Sequence, residues 1–363
     1  MTESHVKPKI TSECLFDHTL TEYIDILKLI PIPKYFREDA GHYITCGITI
    51  ARDPETSYLN SGVYRIQVID KDKLAIMADV KSDLRRIILK GSQTNTNIQV
   101  AIAIGVRPEI LHSSSMRAAY GLSEFDIAGG LIETPVILTQ GLTVDVDIPY
   151  DSEIVIEGEI DPTINVEEGP FTEYGFIASR SSNSYLIKIK AIRFRDAPVY
   201  HSLVVSSMEM TALLIPTGVT EIMQSKKLVS QITPCVKDIW ALPGIPSAGM
   251  AVSIDKTNDA QPRDIMMALF SRSPQLKRIV VVDSDINIYD PTEVQWAIDT
   301  RVGKEEDIFL TSGSGSIPDT ARIGDFTLKI GFDATKKKGR FTNFNRSTFE
   351  NINLEGILKD IKN

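Results

Sequence analysis

From about Gly41 to Leu214 the apolar residues recur with a period of two, in β-branched runs such as "YITCGITIAR", "VYRIQVID", "IQVAIAIGV", "EIVIEGEID" and "YLIKIKAIRFRD". That period puts successive side chains on opposite faces of a strand, and turn residues at short spacing separate the runs. Many short strands in series predict an antiparallel barrel or sandwich. A helix from Ser82 to Lys90 interrupts them, and the "KDK" after "VYRIQVID" is placed to close a hairpin.

After Pro216 the pattern changes. Helical spacing in "VTEIMQSKKLVSQI" and "RDIMMALF" alternates with the strands "AGMAVSID" and "KRIVVVD", which predicts an α/β layer. Asp290 as N-cap, Pro291 at the first helical position and Glu293 in the first turn predict a helix start. The stretch Phe349 to Lys362 is amphipathic and predicts a terminal helix suited to oligomerisation.

The 363 residues suffice for two domains, and 42% hydrophobic with 24% charged residues is an ordinary globular composition. A net charge of −9 argues against a nucleic-acid or anionic-membrane surface, which needs clustered Lys and Arg. The one basic run, Lys336 to Arg340, reads as a solvated loop. Cys14, Cys46 and Cys235 are too scattered for a disulfide framework or a thiolate zinc site, as expected of a cytoplasmic protein. Neither a signal pattern nor a bilayer-length apolar run is present.

Most local motifs carry little. "DSD" at Asp283 to Asp285 reads as the polar end of a strand, and "SGSGS" at Ser312 to Ser316 as a flexible turn without the lysine of a phosphate loop. The five histidines form no close pair. The stretch "EIDPTINVEEGPFTEYG" is different, because five carboxylates crowd around a Gly-Pro-Phe turn, on a wet surface or around something positive. Asn60 and Arg65 lie five positions apart in "NSGVYRIQ", on opposite faces of a regular strand. Asn60, with Asp83 and Glu168, supplies oxygen ligands of the kind that suit Mg²⁺ or Mn²⁺.

In this order, "LIPIPKYFREDAGHYITCGITIARDPETS", "NSGVYRIQV", "HSSSM" before "GLSEFDIAGGL", "EGEIDP…EEGPFTEYGF", "PVYHSLVV", "DSDINIYD…VQWAIDTRV" and "LKIGFDATKK" resemble the UbiD family of prenylated-flavin-dependent decarboxylases, from about Leu29 to Lys337. The resemblance implies an α+β protein with a central split β-barrel like that of flavin reductases, an α/β domain and a C-terminal helix. The expected boundaries are 1–38 for an N-terminal segment packing on the α/β domain, 39–215 for the barrel, 216–335 for the α/β domain and 336–363 for an oligomerisation tail. The implied activity is reversible, non-oxidative decarboxylation of an aromatic or α,β-unsaturated acid.

The resemblance assigns Asn60, Asp83 and Glu168 to a divalent metal, usually manganese with magnesium as the substitute, that bridges to the flavin phosphate; a potassium ion commonly lies nearby. Arg65 matches the active-site arginine and Glu209 the catalytic acid. Asn60, Ser115, Met116 and Lys329 fall where the family contacts prenylated FMN. Expected partners are a small carboxylic acid, a flavin prenyltransferase as cofactor supplier, and further copies of the chain in a homodimer or larger assembly. Two departures stand out: Asp83, eighteen residues after Arg65, occupies a position that is commonly histidine, and only about thirty residues precede "PIPKYF". The second departure raises a compact subfamily or a second subunit replacing the missing region, and a degenerate, partner-dependent member is the competing reading. A conventional flavin reductase is weaker, having no need of the acidic loop.

Overall fold

The structure is a computed structural model that describes residues 5–80, 82–116, 118–173, 176–179, 181–205, 208–244, 248–315, 319, 321 and 323–337; the side chains of 208, 209 and 211–217 lie outside the description. The chain divides into two compact units. The first holds the residues up to Gln224 and two short later segments, and the second runs from Ser225 with those segments excluded.

A nine-stranded sheet forms the first unit. Its path runs Tyr43–Ile44, Ile66–Asp70, Lys73–Ile76, Ser182–Phe194, Ile154–Glu168, Ile98–Ile104, Gly47–Arg52, Leu59–Val63, with His18–Leu20 added against Ser182–Phe194. All these pairings are antiparallel, and the path is open rather than a closed ring among the described residues. The mixed α+β class expected from the sequence is therefore present, and the Lys71-Asp72 hairpin forms where "KDK" placed it.

Apolar side chains cover both faces of the central strands. In Ile98–Ile104, Val100, Ile102 and Ile104 enter one core while Ala101 and Ala103 enter the other. This is why "IQVAIAI" is apolar almost throughout rather than half polar. The helix Asp83–Thr94 lays Leu84, Ile87 and Ile88 on the first core, each fully buried. Burial of a side chain of that size contributes about 1.5–3 kcal/mol. Ser82 caps this helix, its hydroxyl accepting from Arg85 N at 3.2 Å; such a cap contributes about 1 kcal/mol and sets Asp83 at the first helical position.

The N-terminal segment, expected on the α/β domain, is strand-paired within the first unit. Lys9–Thr11 lies parallel to Ile137–Gln140, and His18–Leu20 extends Ser182–Phe194. Exposed backbone at those two edges supplied partners that composition does not reveal.

The second unit is a five-stranded sheet in the order Val236–Ala241, Gly249–Ile254, Arg278–Asp283, Phe326–Ala334, Ile308–Ser314, parallel at its centre and antiparallel at both edges. The helix Gln261–Arg272 makes the crossover between two parallel strands, and Pro291–Arg301 starts as expected with Asp290 accepting from Thr292 N at 2.8 Å. Asp283 and Asp285 turn out to be structural, both bound by the fully buried Arg301. Lys336 pairs with Asp285 and Lys337 with Asp307 and Asp333, so this start of the basic run is not merely solvated. Ser312 to Ser314 are strand rather than flexible turn, because they pair with Leu328, Thr327 and Phe326, and the Lys329 stem passes Gly313 where a Cβ would stand 3.0 Å from Lys329 Cε. The expected terminal helix, 349–362, lies outside the described residues.

No helix among the described residues is long and apolar enough to cross a membrane.

Candidate active site

The strand Leu59–Val63 and the link that follows it carry the site. Asn60 and Arg65 do not share one strand, because pairing stops at Val63 and resumes at Ile66. Tyr64 and Arg65 occupy the break. The Tyr64 ring lies across Gly62, where a Cβ would come within 2.5 Å of it, so glycine is required.

Arg65 sits between two carboxylates. Its Nη2 donates to Glu168 Oε2 at 2.8 Å, and its Nη1 donates to Glu173 Oε1. The guanidinium also stands 5.2 Å from the centre of the Phe171 ring. Glu168 ends the long strand Ile154–Glu168 and is fully buried. Gly169 follows at φ +93°, a conformation that favours glycine. Its N–H donates to Gln67 Oε1 at 2.9 Å, while Thr172 N donates to Asp39 Oδ1 at 2.8 Å, which fixes the turn and returns Glu173 to the same guanidinium. The acidic crowd of "EEGPFTE" is thus partly answered by a cation of the chain itself.

One guanidinium cannot fully compensate two carboxylates. Burial raises the Glu173 pKa above the ordinary range and the neighbouring Glu168 raises it further, against the lowering effect of Arg65. The Glu173 carboxyl is therefore biased toward its protonated form.

Arg65 and Glu173 line a cavity of ≈ 260 Å³. Val63, Met77, Phe171, Val205 and Met210 give it an apolar wall, and Thr45, Tyr64 and Asp79 add polar groups. Glu173 and Asp79 were not singled out from the sequence. Glu173 had a usable signal, as the second acid of the turn motif.

A second cluster gathers at the Tyr58 hydroxyl. Asn60 Nδ2 donates to it at 3.4 Å, it donates to Glu124 Oε1 at 3.5 Å, and Asp83 lies close enough to act on it through its charge. Glu124 opens the helix Glu124–Ile132, whose N-cap Ser123 is tied to Leu59 O at 2.9 Å, and its Oε2 accepts from Ser61 N at 2.9 Å. Burial pushes the Glu124 pKa up to about 8, with Asp83 adding to the rise. Burial likewise raises the Asp83 pKa, partly offset by Arg86.

The three expected metal ligands therefore do not meet as one set. Asn60 meets Glu124 at the Tyr58 hydroxyl with the charge of Asp83 nearby, whereas Glu168 makes its described contacts with Arg65 and Ser182 instead. Glu124 lay inside the quoted "GLSEFDIAGGL" but carried no charge pattern to mark it.

Asn60 Oδ1 and Glu168 Oε1 are buried without a hydrogen-bond partner. An unpaired buried oxygen is unfavourable unless a proton donor or cation reaches it. The Asn60, Asp83 and Glu124 set is all oxygen, so it fits a hard divalent ion. No group of three or more His, Cys, Asp and Glu side chains poised for a metal is present among the described residues, so the amide of Asn60 is needed to complete the set.

Ser115 and Met116 end the helix Pro108–Ser114, Ser115 Oγ donating to His112 O at 2.7 Å and Met116 N to Ser113 O at 3.0 Å. Their neighbour Ser114 is bonded to Ser61 Oγ at 2.7 Å, which docks this turn on the strand that carries Asn60. Lys329 belongs to the second unit, where its ammonium donates to Phe270 O at 3.2 Å and Ser273 O at 2.7 Å, capping the helix Gln261–Arg272. Glu209 lies in the helix Met208–Ile232, with its side chain outside the described residues.

Residues 8–208 match the 3-octaprenyl-4-hydroxybenzoate carboxy-lyase Rift-related domain, and residues 216–334 match the C-terminal domain of the same carboxy-lyase. The anhydromevalonate phosphate decarboxylase of Methanothermobacter thermautotrophicus is 31% identical over 323 residues, covering 88% of this chain and 75% of the relative. The UbiD-class enzyme HmfF from Pelotomaculum thermopropionicum, solved in complex with FMN, superposes with a TM-score of 0.88 at 33% identity, over 99% of this chain and 81% of that one. An evolved dimeric form of HmfF in complex with prFMN gives 0.84 at 32% identity, over 99% and 80%. The chain belongs to the UbiD family of decarboxylases.

Proposed function

We propose that the chain catalyses reversible, non-oxidative decarboxylation of an aromatic or α,β-unsaturated carboxylic acid, with prenylated FMN as its cofactor. The observation that carries this is Arg65, held by Glu168 and Glu173 on the wall of a cavity that is otherwise largely apolar. An apolar wall suits the body of an unsaturated acid, and a guanidinium fork suits its carboxylate.

When bound, the modified flavin supplies the electron sink that loss of CO₂ requires. Arg65 orients the substrate carboxylate. Glu173 holds the proton that replaces CO₂ on carbon, since burial favours its neutral form. Glu168 keeps Arg65 in place through the 2.8 Å ion pair. The role expected of Glu209 passes to Glu173 in this reading. Asn60, Asp83 and Glu124 would hold Mn²⁺ or Mg²⁺ near the flavin phosphate, with Glu124 taking the place expected of Glu168. The first unit's sheet would be the split barrel that receives the flavin, supplied by a flavin prenyltransferase in the cytoplasm. The dimeric form of HmfF supports a homo-oligomer.

The test is co-expression with a flavin prenyltransferase, followed by absorbance and mass measurement of the bound cofactor and CO₂ release from a panel of unsaturated acids. Prenylated FMN with turnover is the expected result. Plain FMN or none, with no turnover on any acid, overturns the reading.

A further inference from the structure

We infer that Tyr58 is a positioning residue whose hydroxyl orients Asn60 and separates Asp83 from Glu124, so that all three present oxygen to one divalent cation. The inference rests on the cation site proposed above and adds a residue that is not itself a ligand.

A phenolic hydroxyl donates one hydrogen bond and accepts others. Asn60 Nδ2 points at the Tyr58 oxygen from 3.4 Å, so the hydroxyl is the acceptor there and its single proton remains for a carboxylate. One carboxylate receives it, Glu124 with Oε1 at 3.5 Å, and Asp83 lies near enough to act on both the hydroxyl and Glu124 through its charge. The hydroxyl can satisfy only one of them at a time. Neither makes a described hydrogen bond to the other, and two neighbouring carboxylates can both be ionised only when something positive joins them.

The amide supplies the second observation. Committing Nδ2 to Tyr58 fixes which way the Asn60 amide faces and leaves Oδ1 as its free acceptor. That atom is buried without a partner in a residue only 3% exposed. An amide turned the other way would present N–H groups to the carboxylates and repel a cation, so the Tyr58 contact selects the orientation that can bind one.

Tyr58 is itself held firmly enough for this task. It is 8% exposed, and its ring packs edge-on against Tyr120 with centroids 5.2 Å apart. Tyr120 is tied to the buried Asp53 and carries the Arg86 guanidinium 3.7 Å above its ring. Arg86 in turn reaches Asp83 at 3.8 Å. The ring is therefore held by packing of its own against Tyr120. Partners of this kind, one step behind the ligands, typically change metal affinity by about 10- to 100-fold.

The experiment is Mn²⁺ titration of the full chain followed by electron paramagnetic resonance, for wild type, Tyr58→Phe and Glu124→Gln, with thermal unfolding of each metal-free protein. Tyr58→Phe keeps the ring and its stacking. The expected result is a Kd for Mn²⁺ raised at least roughly 10-fold and an altered bound spectrum, with a metal-free unfolding midpoint close to wild type. Wild-type affinity in Tyr58→Phe, alongside a weakened Glu124→Gln, overturns the role of Tyr58 while the site stands. Wild type that binds no Mn²⁺, or Glu124→Gln that binds it as well as wild type, overturns the cation site and this inference with it.

Discussion

Arg65 Nη2 lies 2.8 Å from Glu168 Oε2, at the end of a strand whose last side chain is fully buried. The pair joins the link after one strand to the end of a distant one and sets the guanidinium that lines the cavity. Replacing Arg65 with Lys keeps the charge but loses the fork that holds Glu168 and Glu173 together. Turnover should fall roughly 100-fold, as misplacement by about an ångström does elsewhere, with the fold retained. Steady-state kinetics and circular dichroism check this, and an unchanged rate would make Arg65 a purely structural cation.

Glu173→Gln removes the transferable proton while keeping shape. The rate should drop by roughly 100- to 10,000-fold with cofactor still bound. In the wild type, activity should decline as pH rises through the Glu173 pKa, because the acid form is the one that works and burial raises that pKa. Running Glu209→Gln in parallel separates the two candidate acids. Loss of turnover in Glu209→Gln with near-normal rates in Glu173→Gln would return the role to Glu209.

Glu124 gives a pH dependence of stability. In the unfolded chain it loses its proton near the ordinary value of 4.5, whereas in the folded, cation-free chain it keeps it to about 8. Between those values the folded state carries the extra proton, so stability declines as pH rises, by up to about 1.4 kcal/mol per pH unit from this group. A bound divalent cation should flatten the slope by stabilising the carboxylate. Urea unfolding at several pH values between 5 and 8, with Mn²⁺ and with chelator, is the measurement; identical slopes in both conditions contradict it.

Lys329→Met tests a residue with two assignments. Its ammonium satisfies Phe270 O and Ser273 O at the end of the helix Gln261–Arg272. Leaving buried carbonyls without a donor costs about 1–3 kcal/mol, so the second unit should unfold at lower denaturant. Flavin occupancy read on the same samples decides whether Lys329 also serves the phosphate.

The sequence by itself determined the class of each half and many of the element starts. Period-two runs became the antiparallel sheet, alternating helix and strand became the α/β layer, and Ser82 and Asp290 became caps, because all of these depend on neighbours within a few residues. Ordered motifs sufficed for the family. The grouping of acids was decided only by tertiary structure. Glu168 and Glu173 both lie in the acidic stretch, yet what draws them together is Arg65, more than a hundred residues away. Glu124 carried no mark in the sequence, and its significance came from the Tyr58 hydroxyl, more than sixty residues away, to which Asn60 also donates. A carboxylate's charge is written in the sequence, but its depth of burial and its nearest cation are properties of packing, and these fix whether it binds a metal, holds a proton or pairs with an arginine.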